Sequence, residues 1–478
     1  MSAINPKVLP NVMLSSGLFL QPPLSPAPRV KTVTEQPQAF LDRHPDVELF
    51  EVVLADLSGG LRGKWVTRDK IGTVFADELK LPISALVFDS WGRDVEEWVF
   101  LRGDGDGCCV PEPRSLAPMP WGKRPMGQIL VSLDHEDGTP NPLDPRRILG
   151  NVEARLQERG LQPVVASEME FFLLHSQRDH LGRPRHTQQD SLGGALNTGQ
   201  TYGLEAMAEV DEFMHAVREC CELQSLAVDT LIKESAPSQY EINLLHHPDA
   251  LLAADQALLL KRAIRGIARN YERTATFMAK PFGDLAGNGM HLHCSLQDGE
   301  GNNLFDDGTR DGSVLLRQAI AGCMETLPDI MLLLAPTLNS YRRFQRGMHA
   351  PLAPCWGYEN RTVALRVPAG PLSAMRLEHR VGGADAQPHL AIAALLAGML
   401  YGIEQELEPP PAMEGNAWEQ LEPSLPRDWN GALDAFRQSR FVADYLGASF
   451  QEVYGLVKQQ EIDEFSRHVT PLEYDTNF

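Results

Sequence analysis

Residues 164–174 read VVASEMEFFLL. The run is apolar except at Glu168 and Glu170, and a strand, whose side chains alternate between faces, sends both carboxylates to one side. Two like charges on an otherwise apolar strand are unfavourable unless something positive lies between them. That partner is either an arginine in a salt bridge or a bound cation, and this stretch alone leaves both open. Three further runs repeat the theme. In residues 231–244, LIKESAPSQYEINL, Pro237 and Ser238 form a turn between Glu234 and Glu241, so a hairpin gathers those two acids. Residues 287–296, GNGMHLHCSL, align His291, His293 and Ser295 on one face after a glycine-rich turn, and residues 375–381, MRLEHRV, align Arg376, Glu378 and Arg380. A lone histidine is commonly a satisfied core residue; two in phase point to ligands.

Pooled, the runs offer five carboxylates and one or two imidazoles on rigid strands. An oxygen-rich set with a nitrogen minority suits the hard ions Mg²⁺ or Mn²⁺ better than zinc. Between residues 340 and 380, Arg342, Arg343, Arg346, Arg361, Arg366, Arg376 and Arg380 face only Glu359 and Glu378, without any lysine. Arginine without lysine favours bidentate recognition of phosphate or carboxylate. Cations and arginines together can hold a polyphosphate and neutralise charge on a transferred phosphoryl group. No standard phosphate loop is present: residues 58–65, SGGLRGKW, have Ser58 where the first glycine belongs and Trp65 where Ser or Thr would meet Mg²⁺.

The 478 residues allow two to four domains, and a net charge of −21 argues against nucleic acid as a general partner. Ten of those 21 excess charges lie in residues 404–478, where 15 acidic residues outnumber 5 basic ones, so this tail reads as a solvated acidic module. No apolar run is long enough to span a membrane. Seven cysteines form no disulfide or zinc pattern, which places the chain in a reducing cytoplasm. Residues 1–40 read as an irregular, proline-rich arm with no signal-peptide core. Residues 41–135 read as a small, mostly β domain, with apolar runs at 49–54 and 83–88 and a glycine- and proline-rich seam from 103 to 125. The larger part, 136–478, alternates strands with helices. Asp144 and Pro145 open one helix and Gly160 stops it; others are expected at 205–225, 249–279, 313–335 and 388–407.

The ordered series SEMEFF, KESAPSQYEIN, GNGMHLHCSL, NSYRRF, NRTVALRVP and RLEHRV resembles the glutamine synthetase family, class I-like branch, over residues 47–470. The resemblance implies an α+β fold: a small N-terminal β-grasp-like domain plus a large glutamine-synthetase catalytic α/β domain. It also implies a homo-oligomer, a dodecamer of two hexameric rings with sites between subunits. The implied substrates are ATP, glutamate and an amine, with two or three Mg²⁺ or Mn²⁺ ions per site. By motif match, Glu170, Glu234 and Glu241 would hold one ion, and Glu168, His291 and Glu378 a second. His293, Ser295, Arg366 and Arg376 fall at ATP, and Gly287, Arg343 and Arg380 at glutamate. Arg361 matches the arginine that stabilises the moving phosphoryl group. Arg361 and Arg366 lie five apart, on opposite faces of a straight strand, so a bend between them is required.

The sequence departs from the family where ammonium binds. His349, in RGMHAP, stands where a flap glutamate is expected, and Trp91 follows Asp89 where the family has a small residue. A histidine partners a small cation less well than a carboxylate, and an indole beside an acid suits an alkylammonium. The expectation is therefore a γ-glutamylpolyamine synthetase-like ligase in which Asp89, Trp91 and His349 form the amine pocket and His349 and Asp89 take up the amine's proton. The alternatives are a glutamine synthetase using ammonium and a non-catalytic scaffold.

Overall fold

Strand register follows from which faces must be buried, and the described residues build two sheets on that rule. The computed structural model describes residues 35–187 and 200–478. The first sheet comprises β1 (Leu49–Ala55), β2 (Leu61–Thr67), β3 (Lys80–Pro82), β4 (Asp106–Pro111), β5 (Ala117–Pro118) and β6 (Met126–His135). Its order is β2-β1-β6-β4-β3 with β5 beside β6, and β1 and β6 run parallel at the centre while the other pairs are antiparallel. β6 is buried along nine of its ten residues, as a strand covered on both faces should be. Its one deep carboxylate, Asp134, is held by Arg147 at 2.6 Å.

The second sheet comprises β7 (Gln162–His175), β8 (Val228–Lys233), β9 (Gln239–Leu244), β10 (Arg273–Thr276), β11 (Met290–Gln297), β12 (Trp356–Tyr358), β13 (Leu365–Val367) and β14 (Leu377–His379). The order β12-β13-β14-β11-β7-β9-β8, with β10 also on β7, puts the longest strand between β9 and β11. Helices pack against it, so the fold is α+β. Asp144, Asp249 and Ser313 cap the helices Pro145–Gln157, Ala250–Asn270 and Val314–Leu334 through their side-chain oxygens. The helix Pro388–Glu404 is almost wholly buried and meets Val314–Leu334 backbone to backbone. A Cβ on Gly322 would lie 2.1 Å from the Gly398 carbonyl oxygen, and one on Gly402 would lie 2.0 Å from that of Gln318. Only glycine permits this approach.

Several expectations change. Residues 35–40 belong to the helix Glu35–Arg43, and the rest of the arm lies outside the described residues. The run 83–88 begins as a 3₁₀ turn, Ile83–Leu86, and the seam from 103 contributes β4 and β5 to the first sheet. The 205–225 helix breaks into Leu204–Ala208 and Asp211–Leu223. The 249–279 helix stops at Asn270, because Glu272 takes φ 56° and residues 273–276 become β10, paired to the edge of β7. The acidic tail is not simply solvated. Its helix Ala448–Arg467 buries Lys458 and Glu461, which pair at 2.9 Å. All seven cysteines are free. Among the described residues no helix is long and apolar enough to cross a membrane.

Candidate active site

Strand register delivers the strand-borne part of the site. Glu170 faces Glu241 across β7 and β9, and Glu168 faces His291 across β7 and β11. His293 faces Glu378 across β11 and β14, and Glu378 faces Arg366 across β14 and β13. Consecutive strands thus present a carboxylate, an imidazole and a guanidinium from one face, as the period of two requires. Glu168 Oε2 lies 3.0 Å from His291 Nδ1, and Glu168 Oε1 lies 2.9 Å from His293 Nε2. Arg376 donates from Nε to His293 Nδ1 at 3.1 Å. His293 therefore carries its proton on Nε2, and donates it to Glu168. Glu378 accepts from Arg366 at 2.7 Å and from Arg380.

Two groups of three residues bring ligand atoms within 4.8 Å of one another: Glu168, His291 and Glu378, and Glu170, Glu241 and His291. Their electrostatics differ. Burial raises Glu168, but its two imidazole partners outweigh that and hold it well below the usual carboxylate range. Burial likewise raises Glu378, but the Arg380 charge outweighs it and leaves this carboxyl at about 2. In the other group, burial and then the charge of Glu170 push Glu241 up to about 9; Glu234, expected beside them but outside both groups, is pushed up to about 7 by the same two causes. Buried like charges without a counter-charge take up protons. A divalent cation is the counter-charge this donor set fits, because the acids and His291 already converge on shared points.

Two cavities meet here. The smaller, about 280 Å³, is lined by Glu168, Glu170, Glu234, Glu241, His291, Gly287, Arg343, Arg361, Arg380 and His349. The larger, about 730 Å³, is lined by Glu168, His293, Ser295, Arg376, Asn302 and Asn303 together with apolar groups such as Val164 and Leu244. Glu168 and Asn243 belong to both, so the acid cluster stands at their junction. Arg343 is 5% exposed and donates to the Val381 carbonyl at 3.0 Å. Gly287 passes so close that a Cβ would lie 2.4 Å from Ala279 O and 2.8 Å from Arg343 Cγ. Arg361 sits in the turn before β13, which supplies the bend its spacing from Arg366 requires. Arg366 lines neither cavity, because its Nη1 is tied to Glu378. The arginine island divides: Arg342 and Arg346 are exposed, and Arg346 lies 3.5 Å from Glu422.

The expected trio Asp89, Trp91 and His349 is not brought together within one chain. His349, at φ 63°, lines the smaller cavity with its ring edge on Trp418, 6.0 Å between centroids. Asp89 instead closes its own loop against the helix Ala448–Arg467. Its Oδ1 accepts from the backbone of Trp91 and Arg93, and its Oδ2 accepts from Arg93 Nε and Gln460 Nε2, all at 2.8–2.9 Å. Burial alone would raise this carboxyl; the four donors hold it below its usual value. A carboxylate so occupied is a poor base. Trp91 packs on Phe465 at 5.2 Å, with the Arg93 guanidinium 4.8 Å from its ring.

Sequence reasoning missed several residues of the site. Tyr202 and Met348 line the smaller cavity. Trp418 braces the flap by donating to the Ala350 carbonyl at 3.2 Å. Gln239 is buried beside Glu170. Of these only Gln239 carried a signal, because it shares a strand face with Glu241 two residues on.

The family model described as glutamine synthetase, catalytic domain, matches residues 142–477. The gamma-glutamylputrescine synthetase PuuA of Escherichia coli (strain K12) is 37% identical over 449 residues, covering 94% of this chain and 95% of that protein. The gamma-glutamylethanolamide synthetase GlnA4 of Streptomyces coelicolor is 31% identical over 440 residues, covering 91% of this chain and 93% of that protein. The solved ADP complex of GmaS superposes with a TM-score of 0.80 at 26% identity, covering 92% of this chain and 98% of that one. Fold and relatives define the class, a carbon–nitrogen ligase. The chain belongs to the glutamine synthetase family.

Proposed function

We propose that the protein is an ATP-dependent glutamate–amine ligase, γ-glutamylpolyamine synthetase-like, that joins the γ-carboxylate of glutamate to an organic amine. The observation that carries the reading is the meeting of two cavities at Glu168, one lined by arginines and acids, the other larger and lined by both polar and apolar groups. ATP takes the larger cavity, with His293, Ser295 and Arg376 at its phosphates and Arg366 acting through Glu378. Glutamate takes the smaller one, its carboxylates met by Arg343 and Arg380 beside Gly287. Two or three Mg²⁺ or Mn²⁺ ions, held by Glu170, Glu234 and Glu241 and by Glu168, His291 and Glu378, supply charge neutralisation to the phosphates when bound.

The γ-phosphoryl group passes from ATP to the glutamate γ-carboxylate, leaving ADP and γ-glutamyl phosphate, with Arg361 meeting its charge. The amine then attacks the acyl carbon and phosphate leaves, forming the amide. An alkylamine with a pKa near ~10 arrives protonated, so it must lose a proton first. His349 stands at the cavity to take it. Gamma-glutamylputrescine synthetase and gamma-glutamylethanolamide synthetase among the relatives support an amine acceptor over ammonium. We read residues 41–135 as a β-grasp-like domain and 136–478 as the catalytic domain. We further read the assembly as a cytoplasmic dodecamer in which the 89–93 loop completes a neighbour's site.

The test is a coupled ADP-release assay with glutamate and a panel of ammonium, putrescine, spermidine, ethanolamine and aromatic monoamines. Amine turnover well above ammonium is expected, and His349→Glu shifts preference toward ammonium. Ammonium turnover far above every amine overturns the proposal.

A further inference from the structure

Gln239 sits one residue past the turn of the β8–β9 hairpin and is 1% exposed. Every polar atom of its side chain is engaged. Oε1 accepts from Ala236 N–H at 3.1 Å, which pins the turn next to Glu234. Nε2 lies 3.0 Å from the Gly287 carbonyl, 3.2 Å from Asn288 Oδ1 and 3.3 Å from Glu170 Oε2. The same Glu170 Oε2 accepts from Gly289 N–H at 2.7 Å. With Oε2 contacted by the Gln239 amide and the Gly289 N–H, Oε1 is the oxygen left without these contacts in the residue that clusters with Glu241 and His291. Asn288 in turn is fully buried, donating to the Met278 carbonyl at 2.9 Å and bonded through its N–H to Ala279 O at 2.8 Å.

One amide therefore joins three elements: the hairpin that carries Glu234 and Glu241, the carboxylate of Glu170 on β7, and the loop that carries Gly287. We infer that Gln239 is a positioning residue that fixes the orientation of Glu170 for a divalent cation and ties that cation's site to the glutamate-binding loop. Groups that orient a metal ligand from behind change metal affinity by about 10- to 100-fold when removed. The inference rests on the reading that the acid cluster holds divalent cations; the identity of the acceptor amine does not enter it.

Gln239→Met keeps the volume and removes both donors and the acceptor. The experiment is Mn²⁺ titration of the full-length, chelator-stripped protein, followed by electron paramagnetic resonance, together with KM for glutamate and for ATP. The expected result is a Mn²⁺ class about 10- to 100-fold weaker than in the wild type, with the class at Glu168, His291 and Glu378 retained. KM for glutamate rises and KM for ATP stays within twofold, since Gln239 does not line the larger cavity. Mn²⁺ affinity and glutamate KM both within twofold of wild type overturn the assignment, as does equal loss of both Mn²⁺ classes, which marks a general structural effect. If Gln239→Met does not fold, Gln239→Asn, which keeps the amide but draws it back by one carbon, is read by the same criteria. Direct cation binding needs no amine. Failure here therefore leaves the amine assay standing, and failure there leaves this measurement standing.

Discussion

Glu241→Gln is expected to stabilise the cation-free protein at pH 7 and to remove the stabilisation that a divalent cation brings. Glu241 faces Glu170 directly across two strands, and burial and that neighbour push it from 4.5 to about 9. In the folded state it holds a proton that the unfolded chain releases above pH 4.5, so the folded state binds more protons between pH 4.5 and 9. Stability from this group is full below pH 4.5 and falls as pH rises through that window. At pH 7 the chain has climbed about 2.5 units of the window, a loss of about 3 kcal/mol at 1.36 kcal/mol per unit. Glutamine carries no titrating proton and no charge toward Glu170, so the variant escapes this loss. Mn²⁺ at a hundred times its dissociation constant stabilises the wild type by about 2.7 kcal/mol, whereas the variant lacks one of its three ligands. The assay is thermal unfolding of both proteins from pH 5.5 to 8.5, in chelator and in excess Mn²⁺. Glu234 titrates within the same range and its charge helps to raise Glu241, so the difference between the proteins reports Glu241 together with its coupling to Glu234. In chelator that difference should widen with pH in favour of the variant; in Mn²⁺ it should narrow or reverse. A wild type as stable as the variant in chelator at pH 7, with no pH trend in the difference, would refute the reasoning.

Gly287→Ala should raise KM for glutamate at least tenfold with little change in KM for ATP, because a Cβ there meets a backbone oxygen at 2.4 Å and the Arg343 side chain at 2.8 Å; steady-state kinetics read it. Lys280 is 2% exposed, donates to the Leu285 carbonyl beside the glutamate loop, and lies 3.4 Å from Met348 Sδ in the flap. Lys280→Met should leave thermal stability equal or higher, since it removes a buried charge, while raising KM for the amine several-fold. Asp89→Asn should cost about 1–3 kcal/mol, because an amide nitrogen replaces an oxygen that accepts from Arg93 and Gln460; the unfolding midpoint, compared with that of Ser90→Ala, checks it.

The four strand-borne motifs were readable because a strand has only one way to alternate. Once β7 was identified, Glu168 and Glu170 had to share a face, and the same held for His291 with His293 and for Glu378 with its arginines. What could not be read was which strand lies next to which. The sequence separates Glu170 from Glu241 by 71 positions, and only the β7–β9 register sets them opposite each other. The helix boundaries at residues 209 and 271 failed for a related reason: apolar periodicity continues through them, and it is the pairing of β10 with the edge of β7 that ends the second helix.

The Asp89 loop marks a different limit. Asp89 and Trp91 read as the start of an amine pocket, with His349, because an acid beside an indole is what an alkylammonium needs. The chain answers with its own cation: Arg93 takes both the carboxylate and the ring, and Gln460 closes the remaining position. An acid and an aromatic therefore identify a cation-recognition pattern without saying whose cation fills it. Proposed completion of a neighbour's site by this loop then rests on its shape and its buttressing by the helix Ala448–Arg467, since Glu461 also accepts from Ser90 N–H at 2.8 Å. On that account we propose that selectivity for the amine rests on His349, Tyr202 and Met348, which line the cavity itself.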